Sequence, residues 1–439
     1  MTLRMPHLGL VTTALVLLGA GMASAEETIT IATVNNADVT RMQRLTGVFN
    51  KEHPDIHINW VVLEENLLRQ RVTQDIATNG GQFDVVTIGN YEVPIWAKQG
   101  WLKPLDNLPA SYDVDDLIPS VAASASYEDK LYGLPFYAES SITMYRTDLA
   151  KKAGVTIPEK PTWAEITAAA KAMNDPSAGV YGICLRGKPG WGINTSFLTS
   201  MTNSYGGRWF DMDWKPQFDS PEWKEALDKY LELMKNYGPP GAVGNEFNDN
   251  LALFETGKCA IWIDASVGAS VITDPKEAKF AKDVGFARFP HKDGVDNYGS
   301  WLWAWTLSVP ASSKHAQAAE TFISWVTSKD YTDLVAREDG WGHAPPGTRQ
   351  SLYANPEYRK SAPFADVTLD SIKAVDVKHP SVQDVPYLGT QWVGIPEFQG
   401  IGTAVGQVFS SALSGQITAE QALSQAQTLT EREMKRAGY

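Results

Sequence analysis

The sequence predicts an α/β protein built as two lobes. Three observations carry that expectation. Strand-like and helix-like patterns alternate in the order β-α-β-α-β from the first β-rich run onward. The chain, 439 residues long, exceeds what a single core usually holds. Its 43% hydrophobic and 20% charged content is that of an ordinary globular protein.

The elements follow in chain order. Arg4, an apolar run from Leu8 to Leu18 and the small-residue site Ala23-Ser24-Ala25 read as a secretory signal peptide cleaved after Ala25. No Cys follows the apolar run, so no lipid anchor is expected on the new N-terminus. Thr28–Val34 is a strand. Arg41–Lys51 carries Met42, Leu45, Val48 and Phe49 at helical spacing. Ile58–Leu63 is a second strand, and Leu68, Val72 and Ile76 mark the face of a second helix. Asp84–Ile88 is a third strand, followed by a short helix through Trp96. This order implies parallel strands with right-handed crossovers. Ser220-Pro221-Glu222 opens a helix that stops at Gly238-Pro239-Pro240-Gly241. Val180–Leu185, Cys259–Asp264 and Gly299–Pro310 read as strands, and Ala316–Val326 as a helix. Thr418 with Gln421 is a capping-box start for the last helix, which ends near Arg436.

Charge and motif content exclude several functions. With 38 basic against 51 acidic residues the net charge is −13. An acidic surface argues against nucleic-acid or anionic-membrane partners. There is no second long apolar segment, no Gly-x-Ser-x-Gly nucleophile elbow and no phosphate-binding loop. His53 and His57 flank Pro54 and read as a solvated turn, not a metal site. No cofactor or metal is expected. Cys184 and Cys259 lie in apolar runs and read as two buried free thiols, with pairing in an oxidising compartment as the alternative.

Ligands of open α/β sheets sit beyond the carboxyl ends of strands, and here those ends are polar. Asn36 follows the first strand, Glu64 the second and Asn90 the third. Helix capping explains each singly; convergence points to a ligand. Glu139, between two apolar runs, needs a cation, donors or water if buried. In Trp301-Leu302-Trp303-Ala304-Trp305 the three indoles share one strand face. Trp301, beside Gly299-Ser300, is the expected exposed end, with the others packing inward. Arg186 and Trp191 lie in a glycine-rich loop that reads as a tight turn, and Asp264 ends a strand. Trp341 and His343 lie in a second aromatic, glycine-rich loop. Fifteen Trp with 16 Tyr and 15 Phe suit a core and equally the apolar faces of carbohydrates.

Three segments then carry a family likeness: Phe83-Asp84-Val85-Val86-Thr87-Ile88 with Trp96 to Leu105; Leu131-Tyr132-Gly133-Leu134-Pro135-Phe136 with Met144 to Leu149; and Phe254-Glu255-Thr256-Gly257-Lys258-Cys259-Ala260-Ile261. In order and spacing they resemble the extracellular solute-binding proteins of bacterial ABC importers, most of all the mannitol/sorbitol-type polyol binders. The resemblance implies a periplasmic binding protein type II fold, with a ligand cleft between two discontinuous lobes, 26–137 with 284–335 and 138–283 with 336–439. It implies a non-enzymatic, monomeric periplasmic receptor that closes on a small polyhydroxylated ligand and delivers it to membrane permease subunits. Asn36, Glu64, Asn90 and Glu139 would come from the first lobe and first crossing, Arg186, Trp191 and Asp264 from the second lobe. Trp301, Trp341 and His343 would lie near the crossings. A monosaccharide or disaccharide receptor is the alternative, and a secreted carbohydrate-active hydrolase the second.

Overall fold

The computed structural model describes residues 26–439, so the signal-peptide reading lies outside the described residues. The eight principal strands form two sheets. In chain order they are β1 (Glu27–Val34), β2 (Ile56–Leu63), β3 (Val85–Gly89), β4 (Leu134–Glu139), β5 (Ser141–Arg146), β6 (Ile261–Ala265), β7 (Val284–Arg288) and β8 (Trp303–Ser308). The first sheet has the order β2-β1-β3-β8-β4. β1 is parallel to β2 along its whole length and to β3, so the expected β-α-β-α-β unit forms, with helices Ala37–Glu52 and Glu65–Ala77 as crossovers. Ile29, Ile31, Val85 and Val86 are buried, as strands covered on both faces require. β8 returns from far along the chain and lies antiparallel between β3 and β4.

The second sheet is antiparallel, in the order β6-β5-β7. One boundary of the sequence reading changes here. Residues from 284 onward were expected in the first lobe, but β7 pairs with β5 from Ile142↔Arg288 to Arg146↔Val284. The return to the first sheet therefore starts after Arg288. β4 ends at Glu139 and β5 starts at Ser141, so the chain passes between the sheets through Ser140 alone. Its carbonyl accepts from the Ser266 amide at 2.8 Å.

Val180–Leu185 lies beside β6 through single bridges at Tyr181↔Cys259 and Cys184↔Trp262, not as a continuous strand. That pairing brings Cys184 and Cys259 together, and they form a disulfide. The free-thiol reading is thus corrected: the partners are 75 residues apart, and their approach depends on sheet pairing, which local sequence does not encode. The capping predictions hold. Ser220 accepts from the Trp223 amide at the start of helix Pro221–Tyr237. Thr418 and Gln421 form a capping box on helix Ala419–Ala437. Among the described residues no helix is long and apolar enough to cross a membrane.

Candidate functional site

A cavity of about 490 Å³ lies between the lobes, at the carboxyl ends of β1 and β2. Of the ten residues singled out from sequence, Asn36, Glu64, Glu139, Arg186 and Trp301 line it. Asn36 is both cap and lining residue: its carbonyl accepts from the Val39 amide at 2.9 Å and its amide donates to the Tyr137 hydroxyl at 2.8 Å. Glu64 caps helix Glu65–Ala77 and reaches across the cleft to Lys188, 2.9 Å away.

The tryptophan run departs from expectation. Trp301 is only 2% exposed, so it is not an open end. All three indoles, Trp301, Trp303 and Trp305, line the cavity, while Leu302 and Ala304 on the opposite face join a core cluster with Ile142, Met144 and Trp262. Strand alternation imposes this division, and the second lobe covers what would otherwise be an exposed aromatic wall. The Trp301 indole N–H is buried without a hydrogen-bond partner among the described residues.

Two arginines line the cavity, each neutralised by the protein. Arg186 donates to Asp264 from Nε at 3.0 Å and Nη2 at 2.7 Å, and from Nη1 to the Gly192 carbonyl at 2.9 Å. Arg69 donates from Nη2 to Glu65 at 2.9 Å and from Nη1 to Glu92 at 3.0 Å. Its guanidinium lies 4.0 Å from the Trp191 ring centroid, 4.8 Å from Trp303 and 5.0 Å from Trp305, within cation–π range of all three.

Glu139 differs from these carboxylates. It is 5% exposed, and among the described residues its side chain has no hydrogen-bond or ion-pair partner. Burial pushes its carboxyl well above the usual range; Arg186 opposes the shift, while Asp264, Glu65 and Asp38 reinforce it. Burial likewise raises Glu246 at the other wall.

The other five candidates sit behind the cavity wall. Asn90 extends the sheet: its amide donates to the Leu302 carbonyl at 3.2 Å and its side-chain carbonyl accepts from the Ala304 amide at 3.2 Å. Asp264 is fully buried beneath Arg186. Trp191 is packed between Arg69, Tyr91 and Trp303. His343 bridges Arg41, at 3.0 Å, and Asp274, at 2.9 Å. Trp341 packs against the core cluster that holds Leu302 and Ala304. The glycines of the 187–192 loop also act differently from the expected tight turn. A Cβ on Gly192 would come within 2.6 Å of Glu65 and 2.8 Å of Arg69, and one on Gly190 within 2.6 Å of Asn66. They permit close approach across the cleft, where Asn66 also donates to the Pro189 carbonyl at 3.3 Å.

Sequence reasoning missed Arg69, Phe247, Asn248 and Gln391 as lining residues. Arg69 had a faint signal in Glu65, one helical turn before it. Phe247 to Asn248 and Gln391 reach the cavity only through the packing of the second lobe.

The model for bacterial extracellular solute-binding proteins matches residues 34–333, and the chain belongs to that family. It is 55% identical over 418 residues to a mannitol-binding protein of Pseudomonas aeruginosa, covering 95% of each chain. Among solved structures, an ABC transporter solute-binding protein of Agrobacterium vitis with bound D-mannitol superposes with a TM-score of 0.93 at 62% identity, covering 94% of this chain and 99% of that one. A solute-binding protein of Agrobacterium radiobacter in complex with ribitol gives a TM-score of 0.81 at 26% identity, covering 93% and 99%. The two-lobe α/β fold is therefore that of ABC-transporter solute receptors. The family consists of substrate-binding proteins, not enzymes, which sets aside the hydrolase reading.

Proposed function

From that membership we propose that the protein is the periplasmic, monomeric receptor of an ABC importer, that it captures a linear polyol of the mannitol kind, and that it delivers it to the membrane permease. The observation that carries the reading is the cavity itself: three indole faces beside a set of carboxylates, amides and paired guanidinium groups. Indoles cover the C–H surface of a polyol, and the polar groups meet its hydroxyls. The likeness to proteins that bind mannitol and ribitol supports the same ligand class.

Of the residues in contact with the cavity we assign direct ligand contacts to Asn36, Glu64, Glu139, Arg186 and Trp301. Asn90, Trp191, Asp264, Trp341 and His343 act through the groups they position. Selectivity follows from pairing, since a buried polar group left unmatched costs about 1–3 kcal/mol. Contacts from both lobes favour the closed form, and that differential affinity drives closure.

Calorimetric titration with mannitol, sorbitol, arabitol, glucose and maltose tests the reading. One or more hexitols should bind most tightly. Ligand at 100 times its dissociation constant should add ~2.7 kcal/mol of apparent stability. No heat and no melting shift with any polyol or sugar would overturn it.

A further inference from the structure

The charges around the cavity are not balanced for a ligand that is itself charged. Both lining arginines already hold carboxylates, Arg69 those of Glu65 and Glu92 and Arg186 that of Asp264. Lys188, at the mouth, holds Glu64. A ligand carboxylate entering this space would find no free cation among the described lining residues and would face Glu139 across a medium where charge is poorly screened. Glu139 is the converse case: a buried carboxyl lining the cavity with no hydrogen-bond or ion-pair partner among the described residues.

We infer that the cavity discriminates by ligand charge, rejecting acid sugars and accepting, besides neutral polyols, amino-polyols whose ammonium group pairs with the Glu139 carboxylate. The inference rests on the polyol reading and extends it to a second ligand class. An ammonium beside Glu139 supplies what burial took away, a counter-charge and hydrogen-bond donors in one group. The groups facing Glu139 are Arg186, Asp264, Glu65, Asp38 and Tyr137, one cation among several acids. A second cation there lowers local repulsion; a second anion raises it. Because the isolated Glu139 carboxyl holds its proton above the usual range, pairing with an ammonium requires it to give that proton up.

The test is calorimetry at pH 7 with D-mannitol, 1-amino-1-deoxy-D-mannitol and D-mannonate. The amine should bind within about ten-fold of mannitol or more tightly, and mannonate at least a hundred-fold more weakly. In Glu139→Gln the affinity for the amine relative to mannitol should fall at least ten-fold. The same ratio in the wild type should fall from pH 8 to pH 5, as Glu139 retains its proton while the alkylammonium stays charged. Mannonate binding as well as mannitol, or a ratio unmoved by both Glu139→Gln and pH, overturns the inference. Failure of every neutral polyol and sugar overturns the polyol reading and the inference with it. Mannitol bound with the amine excluded overturns the inference and leaves the polyol reading standing.

Discussion

Two arginines face the same cavity from opposite lobes, and their surroundings differ in one respect. Arg186 takes its hydrogen-bond partners from the second lobe, Asp264 on β6 and the Gly192 carbonyl, and it follows a run tied by the Cys184–Cys259 disulfide to the segment that leads into β6. Arg69 takes its charge partners from the first lobe, Glu65 and Glu92, but the indole closest to its guanidinium, Trp191, comes from the second. One wall therefore draws its polar partners from a single lobe, and the other is completed by a residue from each lobe. A receptor built this way keeps a rigid polar platform on one side. On the other, the stacking of a buried cation depends on a residue that the second lobe supplies.

Asp264→Ala should break the first wall outright. It leaves Arg186 buried and unpaired, at a cost of about 3–5 kcal/mol, read as a lowered denaturation midpoint together with lost ligand binding. Replacing the pair by apolar residues, Arg186→Met with Asp264→Leu, should recover stability but not binding. Recovery of binding would remove Arg186 from the site.

Removing the disulfide in Cys184→Ala/Cys259→Ala should lower unfolding stability by about 2–5 kcal/mol, given its long closed loop. The wild type treated with reductant under denaturing conditions should match it. Equal stability of the double variant and the oxidised wild type would show that sheet packing alone holds the Arg186 platform.

Trp191→Leu addresses the other wall. Loss of a desolvated cation–π contact of ~0.5–2 kcal/mol should weaken ligand affinity by about 2- to 30-fold, measured by calorimetry, with the Arg186 platform intact. Unchanged affinity would show that closure adds nothing to Arg69. The smallest effect belongs to Lys188→Ala at the mouth. Its partly exposed pair with Glu64 is worth about 0.2–1 kcal/mol. Affinity should drop no more than about five-fold, and the drop should shrink as salt is raised.

Helix starts and strand faces were legible because their causes are local. Asn36, Ser220 and Thr418 cap where short polar side chains precede an apolar period. The alternation of Trp301 to Trp305 fixed a shared indole face before any partner was known. The same local logic failed for Arg69, which follows Leu68 on an amphipathic helix and reads as a boundary residue, yet is buried because the 190–192 loop descends on it. It failed for Asn90 too, since a polar residue at a strand end looks alike whether it meets a ligand or mends a ladder.

By itself, then, the sequence determined the alternation of strands and helices, their caps, the indole face and a family likeness that proved correct. Each depends on neighbours within a few residues or on motifs read in order. The tertiary structure decided the rest. It put β7 in the second sheet, joined Cys184 to Cys259, enclosed the indoles, and left Glu139 at the cavity as a carboxyl unpaired among the described residues. Those outcomes turn on which distant segments share a surface. Burial and charge pairing belong to such surfaces, not to the chain taken one stretch at a time.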